Sequence, residues 1–223
     1  MPEVIINGPE GRLECRYMPG NRPDAPTAII LHPEPNKRGT MNNRITFALY
    51  KLFQARGFSV LRFNFRGVGK SQGSYDNGEG ELADAATAMD WLQDQHPGSS
   101  ECWIAGFSFG SWIGMQLMMR RPEITGFISV SPPASTHDFT FLAPCPVSGL
   151  IVQGGENSQV TSERILQLVD KISKQKGVTI DVGIIDGANQ FFSAHLNEAM
   201  DEVEKYVDAR TTHTNQPVRT LIG

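Results

Sequence analysis

Short apolar runs rich in β-branched residues alternate with amphipathic stretches of helix length along nearly the whole chain. This alternation is typical of a mainly parallel central sheet with helices on both faces, a three-layer α/β/α arrangement. The early segments 4–6 and 13–17 are predicted to form an antiparallel start. The later strands are predicted at residues 27–31, 59–64, 102–105, 126–130, 147–153 and 178–185.

Length and composition favour one folded unit. The 223 residues are 39% hydrophobic and 20% charged, which is enough apolar material for one α/β core. We find no internal repeat and no linker, and we therefore predict a single domain over residues 1–210. The last helix is predicted over about 194–209, and residues 211–223 form a polar tail without apolar periodicity.

Charge and cysteine content argue against several classes of function. A net charge of −4 offers no basic face for nucleic acid, so no nucleic-acid partner is expected. Three widely spaced cysteines without a CxxC pair suggest neither a disulfide framework nor a metal site. The N-terminus lacks the features of a signal peptide and no apolar run is long enough to span a membrane, so no membrane association and a cytoplasmic location are predicted.

No cofactor is predicted from the motifs. Residues 67–71, Gly-Val-Gly-Lys-Ser, imitate the end of a phosphate-binding loop. The complete pattern requires glycine at position 64, where this chain has Asn64, and no helix follows at once. We therefore read this segment as a loop that braces the sheet edge.

The segment Gly106-Phe-Ser108-Phe-Gly110 lies between a predicted central strand and a predicted helix. A serine at such a sharp strand-to-helix turn has a strained backbone and an exposed hydroxyl, and small neighbours allow strand and helix to approach. Ser108 is thus the candidate nucleophile. An oxyanion hole would need the N–H of Phe109 and a second N–H from the loop after residue 31, where Glu34 is a better donor than the neighbouring proline.

Further segments resemble one branch of a large enzyme family. They are Leu31-His-Pro-Glu-Pro35, Gly39-Thr-Met-Asn-Asn43, Arg62-Phe-Asn-Phe-Arg-Gly-Val-Gly-Lys-Ser71, Gly106-Phe-Ser-Phe-Gly110, Phe141-Leu-Ala-Pro144, Gly154-Gly155 and Gly187-Ala-Asn-Gln-Phe-Phe192. Together they resemble the dienelactone-hydrolase-like, or small serine-esterase-like, branch of the α/β-hydrolases. The resemblance implies the α/β-hydrolase fold and a serine nucleophile at position 108.

The resemblance also implies an acid in the turn after the next-to-last strand and a histidine in the turn after the last strand. At these positions we align Ser158 and Gln190. Glutamine has no proton equilibrium near neutral pH and cannot act as a general base. The triad therefore looks degenerate, and its loss would remove several orders of magnitude in rate.

Other residues could replace the missing partners. His195 follows Gln190 by five residues, and His137 lies in the connection after the strand at 126–130; either is a possible substitute base. Glu156 and Asp186 are the carboxylates close enough in sequence to replace the acid. The alternative for each histidine is an exposed helix residue for His195 and a loop or ligand-contact residue for His137.

Two functional hypotheses follow from these residues. In the first, the protein is a catalytically impaired or non-catalytic homologue that binds a small ester-like ligand or a protein partner. In the second, it is an active hydrolase of small esters or thioesters that uses His137 or His195 as an unorthodox base. A homodimer is possible in either case.

Overall fold

The computed structural model describes residues 3–214, with side chains described as far as residue 211. Eight strands and five helices are present in the described chain: β1 (Glu3–Gly8), β2 (Gly11–Met18), β3 (Thr27–Leu31), α1 (Arg44–Ala55), β4 (Ser59–Phe63), α2 (Glu79–Gln95), β5 (Cys102–Phe107), α3 (Phe109–Met118), β6 (Ile124–Val130), β7 (Gly149–Gly154), α4 (Ser162–Ile172), β8 (Ile180–Ile185) and α5 (Leu196–Thr214). Short 3-10 turns occupy Pro35–Lys37 and Thr140–Leu142.

The strands form one sheet in the order β1-β2-β4-β3-β5-β6-β7-β8. β1 and β2 pair antiparallel, as predicted, and β2 also pairs antiparallel with β4; all other pairs are parallel. Two apolar clusters cover the two faces. One joins the sheet to α2, α3 and α4, and the other joins it to α1 and α5. The predicted three-layer α/β/α architecture is confirmed.

The last helix differs from its prediction. It begins at Leu196 and runs to Thr214, five residues beyond the predicted end at about 209. The sequence contains no helix stop at that point, and apolar periodicity alone cannot locate the end of a helix whose last turns are polar. Residues 215–223 of the predicted tail lie outside the described chain, so the predicted boundary between domain and tail stays a prediction.

A buried ion pair fixes the loop after β4 to α2. The Arg66 guanidinium donates to Asp84 through Nη2 (2.8 Å) and Nε (3.1 Å), and the Arg66 backbone N–H donates to the same carboxylate. Both residues are buried. Gly80 is needed here, because a Cβ atom at that position would overlap the Arg66 guanidinium. Arg66, the residue before the segment that imitates a phosphate-binding loop, therefore ties the start of that loop to α2.

The end of β3 is held by His32, which is fully buried. Its Nδ1–H donates to the Pro33 carbonyl (2.6 Å), and its Nε2 accepts from the Phe65 N–H (3.0 Å). The ring is thus neutral, with its proton on Nδ1, and burial lowers the pKa of His32 to about 4. His32 therefore positions the loop that carries Glu34.

Replacing Asp84 with alanine should destabilise the protein by about 3–5 kcal/mol, because it leaves the buried Arg66 charge without its partner. The matched control is Asp170→Ala, which removes an exposed ion pair with Lys174 and should change stability by less than about 0.5 kcal/mol. Urea unfolding followed by circular dichroism measures both. Equal effects in the two variants would contradict a bracing role for Asp84.

His32 should make the protein less stable in mild acid. Its folded pKa lies below the unfolded value of 6.5, so the unfolded chain binds more protons between the two values and stability falls as pH falls. The contribution lost between pH 7.5 and 5 should be about 2 kcal/mol. His32→Gln keeps a donor and an acceptor but cannot titrate, and the difference between its stability curve and that of the wild type isolates the effect. Parallel curves over this range would refute it.

Candidate active site

Ser108 stands at the carboxyl end of β5, between the strand and α3. Its backbone has φ 52° and ψ −120°, a strained conformation for a residue other than glycine. The two flanking glycines are required by close packing. A Cβ atom on Gly106 would overlap the backbone of Gly110, and one on Gly110 would lie 2.5 Å from the carbonyl oxygens of Leu31 and His32. The sequence therefore forms the strand-turn-helix elbow that was predicted.

The elbow is held by its backbone. The Ser108 N–H donates to the Val130 carbonyl of β6 (2.9 Å), and the Ser108 carbonyl accepts from the N–H (2.9 Å) and the hydroxyl (2.6 Å) of Ser111. The side chain of Ser108 is partly exposed, and within residues 3–214 its hydroxyl makes no hydrogen bond. The nucleophile position is thus formed, but no base binds its hydroxyl.

Two backbone N–H groups are available beside Ser108. Phe109 is the first residue of α3, so its N–H has no partner within the helix. Glu34 precedes a 3-10 turn, and its carbonyl accepts from Lys37 and Gly39, whereas its own N–H has no partner in the described chain. The contact of Gly110 with the end of β3 brings the Glu34 loop to the first turn of α3. The structure therefore leaves two backbone N–H groups without partners on these two neighbouring segments of the described chain.

The Glu34 carboxylate is paired on both oxygens. Oε2 lies 2.8 Å from Lys37 Nζ, and Oε1 accepts from the Tyr75 hydroxyl at 3.3 Å. Burial and the Glu34 charge raise the pKa of Tyr75 to about 12, so the hydroxyl stays protonated and can donate. Tyr75 also packs against the Phe109 ring, with centroids 6.0 Å apart. The negative charge of Glu34 is therefore compensated beside the N–H that would bind a ligand oxygen.

The turn after β7 is organised by Asn157, which sequence reasoning overlooked. Its side chain is buried, and its Oδ1 accepts from the N–H groups of Gln159 (2.9 Å) and Val160 (3.1 Å). Ser158, aligned with the acid, is exposed and its hydroxyl makes no hydrogen bond among the residues described. Gln153 supports the same turn by donating to the Val160 carbonyl (2.6 Å). The sequence did contain a signal for this role, because asparagine has a short side chain whose oxygen often accepts from backbone N–H groups in tight turns.

The turn after β8 carries Gln190, which is partly buried. The Gln190 carbonyl accepts from the Ser131 hydroxyl (3.1 Å). Ser131 directly follows Val130, whose carbonyl accepts from the Ser108 N–H. Arg44, at the start of α1, donates to the carbonyls of Phe192 (2.6 Å) and Ser193 (3.1 Å). Gln190 thus lies on a fixed turn next to the elbow, while its carboxamide makes no hydrogen bond in the described chain.

The turns after β7 and β8 are in contact. The Glu156 N–H donates to the Ala188 carbonyl (2.9 Å), and a Cβ atom on Gly154 would lie 2.5 Å from the same carbonyl. The side chains of Glu156 and Asp186 are both exposed on these turns, and neither forms an ion pair with a histidine among residues 3–211. Both carboxylates therefore remain without a proton-transfer partner.

His137 lies nearer the elbow than His195 does. The His137 ring packs on Trp112 (centroids 4.5 Å apart) and faces Phe109 (6.1 Å), and its Nδ1 is 2.9 Å from the Thr136 hydroxyl. Burial lowers the pKa of His137, so its imidazole is neutral at pH 7. In contrast, the His195 ring lies beside Gly187, where Nε2 is 3.6 Å from the position of a Cβ atom. Neither histidine hydrogen bonds to Ser108.

A small cavity of about 210 Å³ reaches Phe107, the residue before Ser108, but Ser108, Phe109 and Glu34 are not part of its lining. It is lined by Asn43, Arg44, Ile45, Phe107, Phe191 and Ser193. In the part of the chain that the structure describes, no cluster of three metal-ligating side chains is present. None of the described helices is both long and apolar enough to span a membrane.

Comparison with known proteins gives the family. Residues 43–221 match the Hydrolase_4 family model, described as serine aminopeptidase, S33. An uncharacterised protein of Rickettsia prowazekii, RP471, is 48% identical over 211 residues, which cover 93% of this chain and 89% of that protein.

Two solved structures have the same fold. The protein of unknown function ATU1826 from Agrobacterium tumefaciens is 55% identical, with a TM-score of 0.93 over 97% of this chain and 99% of that one. An α/β serine hydrolase homologue from Coxiella burnetii is 34% identical, with a TM-score of 0.84 over 92% of this chain and 96% of that one. From its fold, its elbow and these matches, the chain belongs to the α/β-hydrolase family.

Proposed function

We propose that this protein is a catalytically impaired α/β-hydrolase homologue that binds a small carbonyl or carboxylate ligand at the elbow. The observation that carries the proposal is the position of Gln190. Its carbonyl accepts from Ser131, which follows the end of β6 beside Ser108. The resemblance to small esterases assigns this position to the histidine that activates the serine. A carboxamide cannot accept the serine proton.

The acid position supports the same conclusion. We propose that Asn157 rather than Ser158 occupies it, because Asn157 is buried and its side-chain oxygen already accepts from two backbone N–H groups. Asparagine preserves this turn but carries no charge to orient and stabilise an imidazolium. With both residues neutral, Ser108 is left as an ordinary alcohol.

The parts of the site that bind oxygen are retained. The N–H groups of Phe109 and Glu34 have no partner in the described chain and could donate to a ligand oxygen. We therefore propose an ester or carboxylic acid as the occupant.

The second candidate function is an active esterase that uses His137. This alternative is favoured over one that uses His195, since the neutral His137 ring already faces Phe109, the residue after the nucleophile. His137 would take the hydroxyl proton as Ser108 Oγ bonds to the carbonyl carbon, and would return the proton to the leaving alcohol. This mechanism requires the His137 imidazole to come within hydrogen-bond distance of the Ser108 hydroxyl, whereas its Nδ1 lies against the Thr136 hydroxyl.

A fluorophosphonate probe tests activation of Ser108 directly. Wild-type protein should show less than stoichiometric labelling after an hour, measured by mass spectrometry of the Ser108 peptide, because an unactivated serine hydroxyl reacts slowly. Rapid stoichiometric labelling that is lost in His137→Ala and kept in His195→Ala would instead establish the His137 alternative.

Restoring an acid and a base should create esterase activity. Asn157→Asp with Gln190→His should raise kcat/KM for p-nitrophenyl acetate by about 10²–10⁴-fold, the usual contribution of a positioned general base. Adding Ser108→Ala to this double variant should abolish the gain.

The matched control for the acid position is Ser158→Asp with Gln190→His. We expect it to be at least about tenfold less active, because an exposed carboxylate orients a histidine poorly. A higher kcat/KM for the Ser158→Asp double variant than for the Asn157→Asp double variant would assign the acid position to Ser158. Background activity in both folded double variants would contradict the assignment of the two turns and the proposed function with it.

A further inference from the structure

A larger cavity of about 600 Å³ lies away from the Ser108 hydroxyl, between α4 and the connection that follows β6. Ser108 and Gln190 are not part of its lining. The volume is within the range of sites that bind small molecules. The cavity is therefore a second candidate site for a small molecule.

Hydrogen bonds at both ends of α4 hold the walls of this cavity together. The Cys145 N–H donates to the Ile172 carbonyl (3.1 Å), and Arg164 Nε lies 3.5 Å from the Ala134 carbonyl. Between these points, Phe139 and Leu142 of the connection are buried in the core. The cavity is thus formed by packed structure and does not depend on an unanchored loop.

The lining combines an apolar surface with basic side chains. Phe139, Leu168 and Ile172 supply the apolar part, and Arg164, Lys171 and Lys174 supply three cations. Lys174 pairs with Asp170 (3.2 Å), but within residues 3–214 Lys171 has no carboxylate at ion-pair distance and Arg164 donates only to a backbone carbonyl. Two positive charges are thus available to a ligand.

A single carboxylate, that of Asp138, opposes these cations. It accepts from the Thr140 N–H (2.9 Å) and hydroxyl (2.8 Å), so both oxygens are engaged within the connection. These hydrogen bonds lower the pKa of Asp138, which stays ionised. With two unpaired cations, Arg164 and Lys171, against one anion, the cavity favours a negatively charged occupant.

The spacing along α4 places the charges around the apolar patch. Residues 164, 168 and 171 are four and three positions apart, so they lie on one face of the helix. We propose that the cavity binds an amphiphilic anion, a carboxylate or phosphate attached to a short apolar chain. The charged group would meet Arg164 and Lys171, and the apolar chain would lie on Phe139, Leu168 and Ile172.

The cavity is adjacent to the elbow but separate from it. His137 is part of the cavity lining, and its ring also packs on Trp112 of α3. Trp112 Nε1 donates to the Asp138 carbonyl (3.0 Å), which ties the connection to the same helix. The inference rests on these residues alone and does not require Ser108 to be active or inactive.

Isothermal titration with octanoate tests the inference, with octan-1-ol as the uncharged ligand and octyl phosphate as the alternative anion. The variant Arg164→Gln with Lys171→Gln should weaken binding of octanoate or octyl phosphate at least tenfold and leave octan-1-ol binding unchanged. Lys205→Gln is the matched control, because it removes an exposed lysine of α5 that pairs with Glu202, outside the cavity. Leu168→Trp, which fills the cavity at a half-buried position, should weaken all three ligands.

Several results would overturn the inference. One is anion binding that is unaffected by loss of Arg164 and Lys171, and another is octan-1-ol binding as tightly as octanoate. A third is loss of octanoate binding in Ser108→Ala, since that would place the ligand at the elbow and support the proposed function instead. Retention of binding in Ser108→Ala, with loss in the double glutamine variant, would support a separate site whichever head group binds more tightly.

Discussion

The site depends on how closely the first turn of α3 approaches the ends of β3 and β5. There is no room for a side chain at Gly106 or Gly110, because each position faces backbone atoms of a neighbouring segment. This contact sets the direction of α3 and forces the backbone of Ser108 into its strained conformation. It also brings the Glu34 loop next to Phe109. The elbow is consequently a requirement of packing, and its presence alone is weak evidence of catalysis.

On the assignment proposed above for Gln190 and Asn157, the same reasoning explains how the two positions could change without loss of the fold. At Gln190 the backbone carbonyl, rather than the side chain, joins the turn to Ser131. At Asn157 the turn needs one side-chain oxygen acceptor, which a carboxamide supplies as well as a carboxylate. The structural and chemical demands on these positions are separate. A sequence can therefore lose a base while the frame around it stays intact.

The sequence predicted the sheet and the elbow because each depends on local pattern or tight geometry. It could not locate the end of α5, whose last turns lack apolar periodicity. It also could not show the buried state of Asn157, since burial depends on tertiary packing rather than on local pattern. The roles of Tyr75 and Arg44 were missed for the same reason: their partners are 41 and 148 positions away. The cavity beside α4 is formed only when α4 and the connection after β6 pack together, and no sequence motif indicates it.

Arg44 has a consequence for how the molecule opens. One guanidinium at the start of α1 holds two carbonyls of the turn before α5, so the first third of the chain and its last quarter share a contact. Local opening in native proteins proceeds in cooperative units whose members lose their contacts together. The turn that carries Gln190 therefore belongs to the same unit as the start of α1. Exchange of its amide protons with solvent would report the stability of both helices and not the motion of a surface loop.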